Sequence, residues 1–400
     1  MNDSPLLKDE VRHAFNFTGK GIDYFLLILV NLFFTVITLG IYMPWALVKC
    51  RRYIYSHMEL NGKPFSFNMT GGAVFVSFLF LMGSIYIALG FFLAHWALIG
   101  IITFLALFLF LPILFLKGFQ NQARMTSLNG VRFGFSGSAK GALWNFMGLP
   151  FIMMLGLVVA LGLLFFIVNA IAGLENIAFT IIFFAVVSFI VQGALYGVLY
   201  NKWMNYIGNA GHFGIHRFAI SVPMKPCING VLLTQLIAIP FMVVAICLMF
   251  PMIEQVMTAS SMGMLDETVI EEISAENSGR QLAVNFVQYL GIIVSGCYLG
   301  AIVRKLFLNN LTLGNNTLRF NSSVTGSGLT IRVLILSVGS ILTLGIAYPW
   351  LKIHLVSWLA RNTQVIGNLD ALELTNDEQP EPKGALAYLT RGMMPFTPFI

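Results

Sequence analysis

Few side chains in this sequence are of a type and spacing to do chemistry. His212 and His216 come first: they lie four residues apart, with Cys227 nearby. Such a pair on a helix would aim two metal ligands at one ion. The intervening Phe213-Gly214-Ile215 is poor helix, however, and no carboxylate completes the set. The spacing therefore predicts a surface hairpin, with no metal and no other cofactor. Asp266, Glu267, Glu271, Glu272 and Glu276 could gather cations, but they lack the oxygen-ligand pattern of a calcium loop and read as a solvated helix face. No Gly-x-Ser-x-Gly elbow, phosphate-cradling loop or His-Glu-x-x-His pattern occurs, so the expectation is a protein that is not an enzyme.

Ionisable side chains inside a bilayer mark function by default. The long apolar stretches hold almost none: Asp23 and Arg332 sit near stretch ends, where a side chain can reach the interface. That argues against a proton-relay transporter and leaves a channel, a facilitator or a lipid-handling protein. Neutral polar residues remain, namely Asn31, Thr35, Thr38, Ser84, Asn169, Gln192, Gln235 and Ser295. Such groups either hold helices together or line a wet path. Asn31, Thr35 and Thr38 share one helical face that leads to Gly40 and Pro44. The densest basic-aromatic run is Lys49-Cys50-Arg51-Arg52-Tyr53-Ile54-Tyr55. Lys49, Arg51, Arg52 and Tyr53 are candidate contacts for anionic lipid headgroups, at roughly 1 kcal/mol per basic residue.

The elements that must position these groups follow from composition. The 400 residues are 58% hydrophobic and 10% charged, against about 25% charged in soluble domains. A chain with so little polar surface belongs in a membrane. Its +6 charge is explained by basic loops on one side of that membrane, and nucleic acid is not an expected partner. Cys50, Cys227, Cys247 and Cys297 form no Cys-x-x-Cys pair and imply no disulfide framework. A spanning helix needs about 20 apolar residues. Eight stretches qualify: 22–45, 73–94, 97–116, 143–171, 177–200, 230–252, 282–303 and 329–350. His95-Trp96 and 172–176 read as tight turns, and 265–280 as a short amphipathic helix. Residues 1–21 then form an N-terminal segment, 22–350 the membrane domain and 351–400 a C-terminal tail.

Loops 47–72, 117–142, 201–229 and 304–328 hold four, four, three and three Lys plus Arg, whereas the other connections hold just Arg280. These basic loops are expected in the cytoplasm, with the acidic segment 253–281 periplasmic. Eight full crossings would leave both basic termini outside. If the first and last stretches instead dip in and return, Arg280 alone of the 23 Lys and Arg stays outside. The charges favour that second arrangement.

A repeat supports it. Thr38-Leu39-Gly40-Ile41 with Pro44-Trp45 recurs as Thr343-Leu344-Gly345-Ile346 with Pro349-Trp350. Gly and Pro both interrupt helices, so each outer stretch is expected to be a re-entrant pair of half-helices. A second repeat, of strand period, is Phe15-Asn16-Phe17, Phe65-Ser66-Phe67 and Phe133-Gly134-Phe135, then more loosely Phe218-Ala219-Ile220 and Phe320-Asn321-Ser322. Asn61-Gly62 and Asn129-Gly130, hairpin signals, precede two copies. Five units of strand, outgoing helix, returning helix and hairpin fit the chain.

The stretch Thr38–Leu47 with Lys49-Cys50-Arg51-Arg52-Tyr53, together with Met125–Phe133, Phe213–Phe218 and Arg391-Gly392-Met393-Met394-Pro395, resembles the YjgN-like inner-membrane proteins of bacteria over essentially the whole chain. That resemblance implies a bacterial inner-membrane protein from a family of unknown function. It brings no catalytic or binding residues. The last copy of the broken-helix motif has Ala347-Tyr348 in place of Tyr42-Met43 and lacks the paired arginines. The sequence thus predicts an all-α polytopic membrane protein: eight hydrophobic segments in repeated helical hairpins, with short cytoplasmic β-hairpins. Small-solute transport or conduction near Asn31, Thr35, Thr38, Gly40, Pro44, Thr343, Gly345 and Pro349 is the leading expectation. Lipid handling or envelope scaffolding is the alternative. The bilayer's anionic headgroups are the expected partner, and a homo-oligomer is compatible with the reading.

Overall fold

The computed structural model describes residues 11–94, 96–172, 177–264, 266–369, 375–376 and 385–392. His95, the turn at 173–176, the Asn169 side chain and Met393-Met394-Pro395 lie outside the described residues. The chain is built as five successive units on one plan. The first is β1 (Arg12–Phe17), α1 (Gly21–Ile37), α2 (Met43–Ser56) and β2 (Met58–Leu60). The second is β3 (Lys63–Phe67), α3 (Gly71–Leu93), α4 (Ala97–Met125) and β4 (Thr126–Leu128). The third runs from β5 (Val131–Phe135) through α5 (Ala139–Leu143), a π-helical turn at Trp144–Gly148, α6 (Leu149–Ala172) and α7 (Ile177–Ala210) to β6 (Gly211–Phe213). The fourth comprises β7 (His216–Ile220), α8 (Met224–Ser261), α9 (Glu267–Glu276), α10 (Ser278–Asn309) and β8 (Leu311–Leu313). The fifth comprises β9 (Leu318–Ser322), α11 (Gly326–Leu342), α12 (Tyr348–Arg361) and β10 (Thr363–Gly367); a further short helix, α13, covers Ala385–Thr390.

The expected all-α class is wrong. The ten strands form one closed antiparallel barrel in the order β1-β10-β9-β8-β7-β6-β5-β4-β3-β2. The first and last strand of each unit pair with each other, as in Phe15↔Leu60, Phe65↔Leu128 and Phe218↔Leu313. Neighbouring units are joined by tight turns. Asn61-Gly62 and Asn129-Gly130 have φ of 51°, 74°, 52° and 80°, the left-handed geometry that Asn and Gly tolerate and two-residue hairpins require. Pairing of β1 with β10, through His13↔Val365, completes the circle and leaves no edge strand.

The count of eight hydrophobic segments is corrected too. Among the described residues, six helical stretches are long and apolar enough to cross a membrane: 71–93, 98–125, 139–168, 183–210, 224–261 and 278–309. Helices α1 and α11 have 17 residues each, about 26 Å at 1.5 Å per residue, short of a hydrocarbon core of about 30 Å. Each is cut off by the repeated turn, where Leu39 and Gly40 (φ 49° and 91°) and Leu344 and Gly345 (φ 49° and 88°) reverse the chain. The first and last strands, β1 and β10, thus lie in the same barrel as the four basic hairpins.

The returning helices overshoot their apolar stretches and grip the strand of the next unit. Asn209 on α7 accepts from the Ile220 N–H and donates to its carbonyl, both at 3.0 Å. Asn201 and Asn205 hold the Val222 carbonyl and N–H at 2.7 and 2.9 Å. Asn309 on α10 accepts from the Ser322 N–H at 2.7 Å. Helices α2, α10 and α12 also press an aromatic ring onto the glycine that opens the next unit: Trp45 on Gly71, Tyr298 on Gly326, Trp350 on Gly21. A methyl at any of these glycines would collide with the ring. Neighbouring units therefore lock together around a ring above the barrel.

On the far side of the membrane helices, Asp266 caps α9 by accepting from the Val269 N–H at 2.9 Å and the Thr268 hydroxyl at 2.7 Å. These bonds hold its carboxyl below the usual range. The cap is therefore at full strength above the ordinary carboxylate pKa of about 3.9 and is lost as pH falls through the lower folded value. Protease cutting within 262–277 should stay constant down to mildly acidic pH, then rise; Asp266→Ala should show the raised rate at neutral pH.

Candidate functional site: the barrel lumen

Alternation along the strands sends the first phenylalanine of each repeat inward. Phe15, Phe65, Phe133, Phe218 and Phe320, one per unit, all line the lumen. Their rings approach one another around it: Phe15–Phe65 at 6.1 Å, Phe65–Phe133 at 6.2 Å and Phe218–Phe320 at 6.0 Å. Phe213 fills the wider gap, 4.6 Å from Phe133. Between the phenylalanines the strands add Leu60, Leu313, Leu318 and Val365, all at most 6% exposed. Toward the membrane helices the lumen is walled by Ile54 and Met58, by Leu308 on α10, and by Val356, Leu359 and Ala360 on α12.

An eight-stranded barrel is just wide enough to be filled by its own side chains. Ten strands leave a space here, a cavity of about 280 Å³, close to the lower end of the ~300–1,000 Å³ range of ligand pockets. Apolar cavities stay dry even when large enough for water. Three polar side chains reach the wall. Arg304, 8% exposed, donates to the Thr363 hydroxyl at 2.9 Å. The Tyr55 phenol accepts from Gln122 at 3.5 Å, and burial pushes its pKa up, so it stays neutral. The lumen is suited to an apolar guest and poorly suited to hydrated ions.

Described residues of the C-terminal segment contact both the barrel and the membrane helices. Leu369 lines the lumen. Asn376 accepts from the Arg132 N–H at 2.9 Å and donates to the Gly130 carbonyl at 3.2 Å. The Leu389 and Thr390 carbonyls at the end of α13 accept from Ser77 and Asn121 at 2.7 and 2.9 Å. Gly392 then donates to Ser77 at 2.9 Å, against the Ala73 backbone where no methyl would fit.

The broken-helix residues fall elsewhere and satisfy themselves. Gly40 N–H bonds the Thr35 carbonyl at 2.7 Å, and Gly345 N–H bonds Ser340 at 2.6 Å. Thr38 Oγ1 donates to Phe34 at 2.7 Å while accepting from Tyr42 N–H at 3.0 Å; Thr343 repeats this with Gly339 and Ala347 at 2.6 and 3.0 Å. Pro44 and Pro349 sit in the first turn of α2 and α12, where proline lacks no needed donor. Thr35 bonds back to the Asn31 carbonyl at 2.7 Å, and buried Asn31 points its amide at Cys50 Sγ, 3.8 Å away. Ser84 and Ser295 likewise bond their own helices, while Gln235 ties α8 to the Phe189 carbonyl of α7 at 3.2 Å.

The basic run is largely committed to the protein. Arg52 donates to the Phe67 and Met69 carbonyls of the next unit at 3.2 and 2.8 Å. Tyr53 Oη bridges the Lys20 N–H and carbonyl at 2.9 and 3.0 Å. Lys49 bonds the Tyr42 hydroxyl at 2.7 Å. Arg51 buries one guanidinium nitrogen without a hydrogen-bond partner. The two histidines are split: Phe213 pairs with His216 and His212 with Arg217, which puts His216 on the inner and His212 on the outer face of the barrel.

A model of the family described as bacterial protein of unknown function (DUF898) matches residues 12–388. The chain is 45% identical to the inner membrane protein YjgN of Salmonella typhimurium over 400 residues, covering all of both chains. It is 38% identical over 397 residues to the inner membrane protein YjgN of Escherichia coli strain K12, covering 98% of both. No solved structure matches the chain.

Proposed function

The chain belongs to the DUF898 family of bacterial proteins and is an inner-membrane protein; from that premise we propose that it binds the acyl chain of a membrane lipid in the barrel lumen, without catalysing a reaction. The observation that carries this reading is the cavity itself, about 280 Å³ and walled by a phenylalanine from every unit. Moving apolar surface out of water into such a space is worth about 25 cal/mol per Å². The excess of Lys and Arg in the loops between units supports a cytoplasmic barrel and a periplasmic acidic segment in this reading. Anionic headgroups there meet exposed Lys20, Lys140 and Lys225, each at the start of an outgoing helix, and Lys49.

The test is binding of a fluorescent polyene fatty acid to the detergent-purified full chain, with added phospholipid as competitor. Ala360 lines the cavity and is 3% exposed. Ala360→Trp fills the space and should weaken binding about tenfold or more while leaving the circular dichroism and the elution volume unchanged. Undiminished binding to a well-folded Ala360→Trp protein overturns the reading.

Small-solute conduction is a second reading, favoured by the phenylalanine ring, because an apolar constriction can gate a pore by dewetting. It requires solute flux into proteoliposomes that rises when ring phenylalanines are replaced by serine.

A further inference from the structure

The five helical pairs are unequal in height. Units two, three and four hold the six stretches long enough to cross a membrane. Units one and five hold α1–α2 and α11–α12, which turn back. Their longer arms, α1 and α11, have 17 residues each, about 26 Å, so the tips of both hairpins stop inside a core about 30 Å thick.

Their surface fits that depth. Leu39 and Leu344 are each 93% exposed, and Ile41 and Ile346 are 60% and 62% exposed. The reversed backbone is internally bonded in both copies, as described above, which is the condition for irregular chain to sit in hydrocarbon. The two short hairpins are also neighbours. Phe25 on α1 stacks on Trp350 of α12 at 4.7 Å, with Gly21 beneath the same indole. Two adjacent sides of the five-sided ring are thus low.

We infer that the paired short hairpins thin the bilayer beside them and form a passage through which phospholipids cross from one leaflet to the other. A segment shorter than the hydrocarbon core is matched by local thinning, and a thinner core shortens the distance a headgroup must travel without water. The helices that form the low wall also build the upper wall of the barrel cavity, through Ile54 of α2 and Val356, Leu359 and Ala360 of α12. This deepens the acyl-chain reading by naming where lipid enters. It needs no energy source, because lipid moves down its own gradient.

Two measurements test it. The full chain is reconstituted into phosphatidylethanolamine–phosphatidylglycerol vesicles bearing a trace of headgroup-labelled fluorescent phospholipid, and outer-leaflet label is bleached with an impermeant reductant. Bleaching of the inner-leaflet share should be about tenfold faster than in protein-free vesicles. Separately, Leu39→Cys and Leu344→Cys, each in a chain whose four native cysteines are replaced by alanine, are labelled with an environment-sensitive fluorophore. Both labels should be quenched best by spin labels deep in the acyl chains. Quenching from water or from headgroup depth overturns the inference, and so does deep quenching without accelerated lipid movement in the unsubstituted protein. Fatty-acid binding that persists in either case leaves the cavity reading standing alone. Accelerated movement with no fatty-acid binding removes the cavity reading and keeps the passage.

Discussion

Replacing Phe65 and Phe133 together by alanine will destabilise the detergent-purified protein by several kcal/mol and lower its Tm sharply. Each truncation removes most of an aromatic side chain from the barrel interior, and such changes cost about 3–5 kcal/mol singly where the cavity cannot collapse. Collapse is prevented here because each strand is fixed on both sides by its ladder. The two rings also stack at 6.2 Å, so the pair shares an interaction of about 0.5–1.5 kcal/mol. The double substitution should therefore cost slightly less than the sum of the singles. Thermal unfolding followed by tryptophan fluorescence checks this. A double variant melting within a few degrees of the parent would show that the ring carries little of the barrel's stability.

Ending the chain after Asn362 should abolish accumulation of folded protein, whereas ending it after Asn368 should not. The first truncation removes β10, which pairs with β1 through His13↔Val365 and with β9 through five residue pairs from Thr363↔Ser322 to Gly367↔Leu318. Two edge strands are then exposed, a template for aggregation. Val365, 1% exposed, leaves the lumen with it. The second truncation keeps the ladder and loses Leu369 and the Asn376 and α13 contacts. Expression with a fluorescent fusion and size-exclusion detection separates the cases; a monodisperse product from the shorter chain would mean that barrel closure is dispensable.

Much of this architecture is written in short-range signals. Asn61-Gly62 and Asn129-Gly130 mark their turns because those φ values suit few other residues. Thr38-Leu39-Gly40 and its second copy mark the reversals, since they put a left-handed glycine where an apolar stretch would otherwise continue. The alternation Phe15-Asn16-Phe17 marks the inward-facing strands. The expected hairpins imply a strand before each turn, but the extents of β2, β4, β6 and β8 are not legible, because each has three residues and no room for a period. Their partners, moreover, lie a whole helical pair away, as in Phe133↔Phe213. Hydropathy alone counts eight apolar stretches alike; the repeated Thr-Leu-Gly-Ile-x-x-Pro-Trp is what singles out the two outer ones. Arg52 is spent on the Phe67 and Met69 carbonyls of the next unit, and nothing near Arg52 in the chain announces them. The lumen left only the recurring phenylalanine, which reads as a strand signal until five copies are placed in one circle.

Closure of the first strand by the last sets a timetable for biogenesis. At about 5–20 residues per second, the ribosome needs roughly 20–70 s between releasing β1 and delivering β10. Throughout that interval the nascent N-terminal strand has its β10-facing side unsatisfied, while the helices behind it are already being threaded into the bilayer. Barrel closure therefore waits on the emergence of β10, long after the membrane helices of the first units have been made.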